Sequence, residues 1–387
     1  MKILHTSDWH LGHSLYNFDR EPEQRRMLEQ IVDIVREERP DVFVLSGDVY
    51  HTSQPSSSVQ TMFTEALVEI HDAAPAMVIV VTAGNHDSGT KHEIFRTPWK
   101  ALNVHMIGSL NRECPKEHVI EIAGKGFVVA VPYVNERNLP DGFYQQLLDI
   151  ALEKNSGLPI VMSAHTTVRG CDFQGHDHAS EYMAGGIDAC DIETMGEGYD
   201  YLALGHIHHE QFVHTGKHNV RYSGTPLAVS FDENYPHSVS IVEIEKHGDI
   251  PRVREIEIEN LRPLVTLPSV GYATWEDAKE LLKNFPDDIE AYIRLNVEIE
   301  DFLPAEANSQ AVALTHGKKC HFCLINARRK TQTTEQSRTF TVQEFRSEDP
   351  IDIAKRYAGD TGIAFDSQMT ELFRQVQTLL DDDLENE

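Results

Sequence analysis

The chain has 387 residues, which is too long for one ordinary hydrophobic core, so we expect two or three domains. The 40% of hydrophobic and 25% of charged residues are typical of a globular protein. No apolar run approaches the roughly 20 residues that span a bilayer, and "MKILHTSDWH" has no secretion signal, so we expect a soluble cytoplasmic protein. The net charge of −28 repels nucleic acid, so binding of a nucleic-acid substrate would require metal ions, a local basic strip or a partner. The alternative explanation of this charge is a soluble or salt-adapted acidic surface.

The N-terminal part of the chain alternates apolar strands with amphipathic helices. The predicted strands are, in order, "KILHTSD", "DVFVLSGD", "AMVIVVTAGNHD", "GLPIVMSAH" and "YDYLALGH". Apolar residues recur at helical spacing in 22–39, and serines suited to capping open a second helix at 56–74. Continuous apolar strands separated by helices indicate an α/β fold whose sheet is covered on both faces.

After residue 213 the pattern changes to short alternating strands and then to "ENLRPLVTLPSVG", which we interpret as a linker. The order beyond it is helix (275–284), strand (291–299), helix (305–315) and strand (319–326), which suffices for a small α+β domain. The tail from residue 349 carries an apolar helical stripe that either packs on its own domain or binds a partner helix. The expected domains are therefore 1–260, 261–346 and a helical tail, 347–387.

Five cysteines, an odd number, argue against a disulfide framework in a chain without a secretion signal. Cys320 and Cys323 form a lone CxxC, with no second pair at zinc-finger spacing. They lie in an alternating apolar pattern, which favours ordinary strand residues over a metal or redox site.

Five of the predicted strands end in the same kind of polar side chain. The residues at these ends are Asp8 and His10; Asp48 and His51; Asn85, His86 and Asp87; His165; and His206 and His208. Ligands of open α/β sheets bind at the carboxyl ends of the strands. Each residue alone has an ordinary structural explanation, such as a cap or a turn, but together they predict a metal site.

The spacing of these residues suits ligands in extended segments. Residues two apart point to the same side of a strand, so Asp8 with His10, and His206 with His208, can each present two ligands in one direction. Glycine permits a tight turn and a close backbone approach before the ligands. The glycines in these positions are Gly47, Gly84 and Gly205.

The mixture of carboxylate, amide and imidazole ligands suits two divalent ions of intermediate hardness, such as Mn²⁺, Fe²⁺ or Zn²⁺. Asp48, on a central strand, is the natural candidate to bridge them through its two oxygens. A pair of metal ions about 3.5–4 Å apart can activate water and stabilise the charge on phosphate oxygens during an in-line displacement. The sequence therefore predicts phosphoryl-transfer chemistry at the sheet edge.

The same motifs resemble the signature of the calcineurin-like metallophosphoesterases over roughly residues 1–245. Within that family, "MKILHTSDWHLGH", "LSGDVYHTSQPS", "AGNHDS", "YLALGHIHHEQ" and "RYSGTPLAVSFDE" are similar to the nucleases of double-strand-break repair. The resemblance implies a four-layered αββα sandwich, a small α+β capping domain and a C-terminal helical tail that binds a partner. After residue 260 the match rests on the order and length of elements.

The resemblance also implies a role for each site residue. One metal would be held by Asp8, His10, Asp48 and His208, and the other by Asp48, Asn85, His165 and His206. His86 would contact the scissile phosphate instead of a metal, His51 would assist there, and Asp87 would orient His86.

The activity that the resemblance implies is that of a Mn²⁺-dependent DNA nuclease. It would act as a 3′→5′ exonuclease on double strands and as an endonuclease on single strands and hairpins, in DNA repair and recombination. The resemblance also implies an ATPase subunit as its partner. Any ATP dependence would come from that partner, because no GxxxxGK[ST] motif occurs in this chain. The family also forms homodimers, for which the helical segments 56–74 and 91–102 would be the candidates.

Two other functions stay open. A phosphoesterase acting on small nucleotides or phosphoproteins would use the same metal site, although the extra domain and apolar tail favour a large substrate and a partner. A non-catalytic tether for DNA ends would need no complete ligand set. Three further histidines are left outside the site: His176 and His178 either line the DNA path or belong to a solvated loop, and His209 would point away from His208.

Overall fold

A computed structural model of the chain describes residues 1–135, 138–174, 189–214 and 218–330, together with Ile351, Lys355, Met369 and Thr370. The chain divides into two compact units, Met1–Arg329 and Lys330–Glu387. Almost all of the predicted tail, and also His176 and His178, lie outside the described residues. Within the described part, no helix is both long and apolar enough to cross a membrane.

The described elements of the first unit include the five predicted strands that carry ligands and add others that the sequence analysis did not predict. The strands are β1 (Lys2–Thr6), β2 (Val42–Ser46), β3 (Val78–Thr82), β4 (Val104–Ile107), β5 (Val119–Ile122), β6 (Gly126–Ala130), β7 (Ile160–His165), β8 (Tyr201–Gly205), β9 (Gln211–Phe212), β10 (Val220–Tyr222), β11 (Ser238–Glu243), β12 (Arg252–Glu257), β13 (Leu264–Leu267), β14 (Tyr292–Ile299) and β15 (His321–Arg329). The α-helices are α1 (Glu21–Glu38), α2 (Ser57–Ala73), α3 (Gly89–Ile94), α4 (Arg96–Trp99), α5 (Phe143–Lys154), α6 (Trp275–Asn284) and α7 (Ala307–Leu314).

Two six-stranded sheets form the centre of the unit. Their strand orders are β12-β11-β1-β2-β3-β4 and β5-β6-β7-β8-β10-β9. The strands β1 to β4 are mutually parallel, as are β6, β7, β8 and β10. Their carboxyl ends therefore meet along one edge of each sheet, which is where the predicted ligands lie.

Three hydrophobic cores separate four layers. Residues of both sheets, including Val44 and Val161, are fully buried between them. Helices α1 and α2 cover the outer face of the first sheet, and α5 covers the outer face of the second. This arrangement confirms the αββα sandwich.

Local sequence explains where the two covering helices begin. Helix α2 starts after Ser56, whose side chain accepts a hydrogen bond from the amide of Val59 at 3.3 Å. Helix α1 buries Met27, Ile31 and Val35 on one stripe. It ends at Glu38, and the next residue, Arg39, adopts the left-handed conformation with φ 46°. The segment 91–102 is not one helix, because α3 and α4 are separated at Phe95 and are followed by a 3₁₀ turn, Lys100–Leu102.

A third sheet contains the three parallel strands β13-β14-β15, with α6 and α7 packed on it around a core of its own. The interpretation of "ENLRPLVTLPSVG" as a linker was wrong in part, since Leu264–Leu267 pairs with Tyr292–Leu295. Cys320 precedes β15 and Cys323 lies in it; neither is in a disulfide.

The third sheet contacts the sandwich through a small buried cluster. Leu15 and Phe231 pack with Tyr292 of β14, whose hydroxyl donates to Glu23 of α1 at 2.7 Å. Arg262 also contacts Glu23, at 3.4 Å. Both parts belong to the unit Met1–Arg329, and the boundary of a separate capping domain at 261–346 stays a prediction.

Candidate metal centre

All ten residues predicted for the site lie along the carboxyl edge of the sandwich. They follow β1, β2 and β3 in the first sheet, and end β7 or follow β8 in the second. Among the described residues, their imidazoles and carboxylates form three groups of potential metal ligands: Asp8, His10 and His208; Asp48, His165 and His206; and His10, His51 and His86. Within each group the ligand atoms lie within 4.8 Å of one another.

The first group is buried. The Nε2 atoms of His10 and His208 face each other at 3.2 Å, and both side chains are almost inaccessible to solvent. Asp8 is fully buried, and its two carboxylate oxygens each accept the amide of His206 at 3.1 Å. A carboxylate and two facing imidazole nitrogens form a donor set that suits a divalent ion.

The second group meets at the side chain of Asn85. Asn85 Oδ1 lies 3.0 Å from His165 Nε2 and 3.0 Å from His206 Nδ1. Asp48 Oδ2 lies 3.3 Å from the same nitrogen of His165. Four predicted ligands therefore converge around one position.

Asp48 faces both groups with a single oxygen. Its Oδ2 lies 3.3 Å from His165 Nε2 and 3.8 Å from His10 Nε2. Its Oδ1 accepts the amide of His86 at 2.8 Å. Oδ2 of Asp48 thus faces both groups, and the bridge through both oxygens stays a prediction.

The hydrogen bonds of His165 indicate whether a cation fits the second group. Its Nδ1 donates to the carbonyl of Ser46 at 2.8 Å, so in the neutral ring Nε2 carries a lone pair. That lone pair faces the lone pairs of Asn85 and Asp48, an arrangement that requires a proton or a metal ion between them. Burial lowers the pKa of His165, but the charge of Asp48 and the hydrogen bond to it outweigh this and raise the pKa to about 9.

The two imidazoles of the first group have opposite electrostatic surroundings. Burial, and then the neighbouring imidazoles of His208 and His86, hold the pKa of His10 well below its usual value. Burial also lowers the pKa of His208, but the charge and hydrogen bond of Glu233 outweigh it and raise the pKa to about 9. Sequence reasoning did not find Glu233, since nothing local marks an acid in "LAVSFDE" as the partner of a histidine 25 residues earlier.

His86 and His51 lie side by side next to the first group. Their rings stack with centroids 5.7 Å apart, and His86 lies 4.9 Å from the ring of His10. The Nδ1 of His86 donates to the carbonyl of His51 at 2.9 Å. In the neutral ring this bond leaves the lone pair of His86 on Nε2.

Asp87 contacts backbone amides of two loops, and its role in orienting His86 stays a prediction. Asp87 accepts hydrogen bonds from the amides of Gly84, Val49 and Tyr50, at 2.8, 3.1 and 3.0 Å. Although burial raises the pKa of Asp87, the nearby imidazole of His92 and the amides of Gly84 and Tyr50 lower it below its usual value. The carboxylate joins the loops after β2 and β3, because one buried acceptor can satisfy several backbone donors.

Four of the predicted ligands have strained backbone conformations. Positive φ angles of 53°, 44°, 49° and 98° occur at Asp8, His10, Asp48 and His206. Such conformations cost about 1–3 kcal/mol each and persist where surrounding contacts determine them. Gly47 has φ 84°, and a Cβ atom there would lie 2.2 Å from Nδ1 of His165, so only glycine fits.

His209 does not join either metal group of the two-metal prediction. Its ring stacks on Tyr235 with centroids 4.3 Å apart, and its Nδ1 lies 3.6 Å from Asp172. This placement agrees with the expectation from the sequence that His209 is not a metal ligand.

A family model for calcineurin-like phosphoesterases matches residues 1–210, more than half of the chain. The chain belongs to the calcineurin-like phosphoesterase family. The donor groups of the site just described fit divalent ions, so the chain is a metal-dependent phosphoester hydrolase.

Several nuclease subunits and one solved structure are similar to the chain. The D subunit of the SbcCD nuclease of Rhodobacter capsulatus is 30% identical over 301 residues, which cover 70% of this chain and 73% of that protein. The corresponding protein of Bacillus subtilis is 28% identical over 402 residues, which cover 97% of this chain and 97% of that protein. That of Escherichia coli K12 is 28% identical over 293 residues, which cover 69% of this chain and 70% of that protein. The predicted resemblance to this nuclease family is confirmed. The crystal structure of the Thermus thermophilus protein TT1561 is 13% identical, with a TM-score of 0.41, over 67% of this chain and 99% of that one.

Proposed function

We propose that this chain is the nuclease subunit of a DNA-processing complex in the cytoplasm, hydrolysing phosphodiesters with two divalent ions and working with an SbcC-type ATPase in repair and recombination. The observation that carries the proposal is Asp48 Oδ2, which lies 3.3 Å from one predicted ligand group and 3.8 Å from the other. Two adjacent groups that share a carboxylate suit a two-metal phosphodiesterase. The similarity to SbcCD nuclease subunits supports DNA as the substrate.

The ligand assignment follows the two groups. Asp8, His10, Asp48 and His208 would hold one ion, and Asp48, Asn85, His165 and His206 the other. Such ions supply Lewis-acid charge for the phosphate oxygens and for activation of water. Four imidazoles with oxygen ligands favour Mn²⁺ over Mg²⁺ or Ca²⁺, which prefer mainly oxygen.

The protein's own groups position the substrate around these ions. His86 has its Nδ1 fixed by the carbonyl of His51, so its Nε2 can contact a phosphate oxygen or protonate the leaving oxygen. His51, stacked on His86, would assist at the same phosphate. Asp87 would keep the loops that carry Asp48 and Asn85 together.

The acidic charge of the chain supports DNA binding that is shared with a partner. With a net charge of −28, the protein alone repels duplex DNA at long range. An ATPase partner would supply positive surface and ATP dependence. The helical tail 347–387 is our proposed binding segment for it, and residues 261–346 our proposed capping domain.

A homodimer is proposed through the outer helices of the sandwich. Phe95 lines a groove of about 260 Å³ together with Phe63 of α2 and Trp99 of α4. Phe95 and the adjacent Ile94 are 50% and 66% exposed. Exposed large apolar side chains around a groove are suited to contact with a second copy.

Labelled DNA distinguishes this function from the alternative, a phosphoesterase for small nucleotides or phosphoproteins. We expect Mn²⁺-dependent degradation of blunt and hairpin-ended duplex DNA, enhanced by the ATPase partner and ATP. Nucleotides and a phosphopeptide provide the comparison. Phosphate release from these small substrates without any DNA cleavage would contradict the nuclease assignment. DNA binding without cleavage under all metal conditions would favour a tether for DNA ends.

A further inference from the structure

The buried carboxylate of Glu233 contacts the first group of ligands from the side away from the proposed metal position. Glu233 Oε1 accepts a hydrogen bond from His208 Nδ1 at 2.9 Å, and the two residues are 4% and 6% exposed. We propose that Glu233 is a positioning residue for the group of Asp8, His10 and His208, and that residues 231–233 link this group to the three-stranded sheet. The inference rests on the proposed function, since it takes this group as a metal site.

The hydrogen bond determines which nitrogen of His208 is available. Because Nδ1 donates to Glu233, the neutral ring has its lone pair on Nε2, the atom that faces His10 at 3.2 Å. Partners of this kind orient a metal-binding imidazole and raise its basicity. Glu233 thus selects both the tautomer and the ring direction that the first group requires.

Glu233 is itself held in place. Its second oxygen, Oε2, accepts the amide of Val229 at 3.2 Å and lies 3.9 Å from Nε2 of His237. The Nδ1 of His237 donates to the carbonyl of Thr225 at 2.8 Å, and the amide of Thr225 donates to the carbonyl of His208 at 3.0 Å. The carboxylate therefore has little freedom to leave the imidazole.

The two residues before Glu233 contact the third sheet. Arg294 of β14 pairs with Asp232 at 2.5 Å and donates to the carbonyl of Phe231 at 3.2 Å. Its guanidinium also lies 5.3 Å from the centre of the Phe231 ring, and its Nε donates to Thr266 of β13 at 3.1 Å. Three consecutive residues therefore connect the third sheet to the ring of His208.

Calorimetric titration of the metal-free protein with Mn²⁺ tests the role of Glu233. We expect Glu233→Gln to weaken one of two binding sites by about 10–100-fold and to leave the other nearly unchanged. Glu233→Asp, which keeps the charge, should restore part of the lost affinity. Asp172→Asn is the matched control, because it removes the carboxylate beside His209, a histidine outside both predicted metal sites.

The contact with the third sheet is tested in the same assay. Arg294→Met should weaken the same site by a few-fold, and it should add little when combined with Glu233→Gln. Arg328→Met is its control, since Arg328 pairs at 3.3 Å with Glu298 inside the sheet. The role of Glu233 would be overturned if wild type and Glu233→Gln bound Mn²⁺ with equal affinities. It would also be overturned if Glu233→Gln weakened both sites equally and lowered the melting temperature in EDTA. An Arg294→Met effect no larger than that of Arg328→Met would overturn the link. Because no DNA is present, a wild-type protein that binds Mn²⁺ but cleaves no DNA would contradict only the proposed function.

Discussion

Asp48 is the residue that faces both ligand groups. Its Oδ2 is near His165 and His10, at 3.3 and 3.8 Å, and its Oδ1 holds the amide of His86. We expect Asp48→Ala to lose both ions, whereas Asp8→Ala, in one group only, should lose mainly one. Metal content after dialysis, measured by plasma mass spectrometry, gives the answer. Retention of one tightly bound ion by Asp48→Ala would rule out the bridging role.

His86 is expected to act on the substrate and not on the metals. Its ring is fixed by the carbonyl of His51, and it lies beside His10 without belonging to the two proposed ligand sets. His86→Ala should reduce DNA cleavage by about 10²–10⁴-fold, the usual contribution of a positioned acid or base. Its metal content should stay near that of the wild type. Loss of an ion from this variant would make His86 a ligand.

The buried ring of His5 predicts a pH dependence of stability away from the site. Its Nδ1 contacts the hydroxyl of Tyr201 at 3.0 Å, and burial, followed by the charge of Arg221, lowers the pKa of His5 from 6.5 to about 3. The contribution of the neutral ring is present above pH 6.5 and is lost as the pH falls toward 3, because the unfolded chain binds the proton first.

Replacement of His5 should therefore flatten the pH profile. His5→Gln should remove about 1.4 kcal/mol per pH unit from the slope of the unfolding free energy near pH 5. Urea unfolding of the metal-free protein measures this slope, with the exposed His316→Gln as the control. An unchanged slope in His5→Gln would show that the ring is not kept neutral.

At the scale of the elements, the turn after β2 depends on the absence of a side chain. An added Cβ at Gly47 would lie 2.2 Å from Nδ1 of His165, whereas one at Gly124 would meet nothing within 4 Å. Both glycines have positive φ, 84° and 68°. Gly124→Ala should therefore cost only conformational strain, about 1–2 kcal/mol.

Gly47→Ala should cost this strain and the clash, roughly 2–5 kcal/mol in total. It should also weaken metal binding, because His165 has to move. Urea unfolding and Mn²⁺ titration measure the two effects. If Gly47→Ala resembled Gly124→Ala in both, the close approach to His165 would not be essential.

The elements also show what sequence patterns can predict. The strands that carry the ligands are continuous apolar runs that end in polar residues, so both their positions and their shared edge were predictable. Strand β13 was missed because Pro263 and Pro268 flank its four residues and resemble linker punctuation. Glu233 and Asp87 have partners that are far away in sequence or are backbone amides, and no local pattern identifies such partners.

For the whole molecule, the balance of charge sets what the subunit can do alone. A chain with 62 acidic and 34 basic residues gains little from phosphate contacts, so we expect weak DNA binding without a partner. The predicted catalytic groups lie in the unit Met1–Arg329, and the segment proposed for the partner lies in the unit Lys330–Glu387. Chemistry and assembly are therefore expected to be separable.

Truncation of the chain tests this separation. A protein that ends near residue 348 keeps every predicted ligand, together with the third sheet, so it should retain Mn²⁺-dependent cleavage of short DNA at a rate within a few-fold of the full chain. It should fail to co-purify with the ATPase and should show no stimulation by ATP. A full-length Asp48→Ala protein is the matched control, since it should bind the ATPase but cleave nothing. If the truncated protein co-purified with the ATPase, the binding segment would lie within residues 1–348. If the truncated protein lost cleavage in the absence of the partner, the tail would be required for the catalytic activity itself.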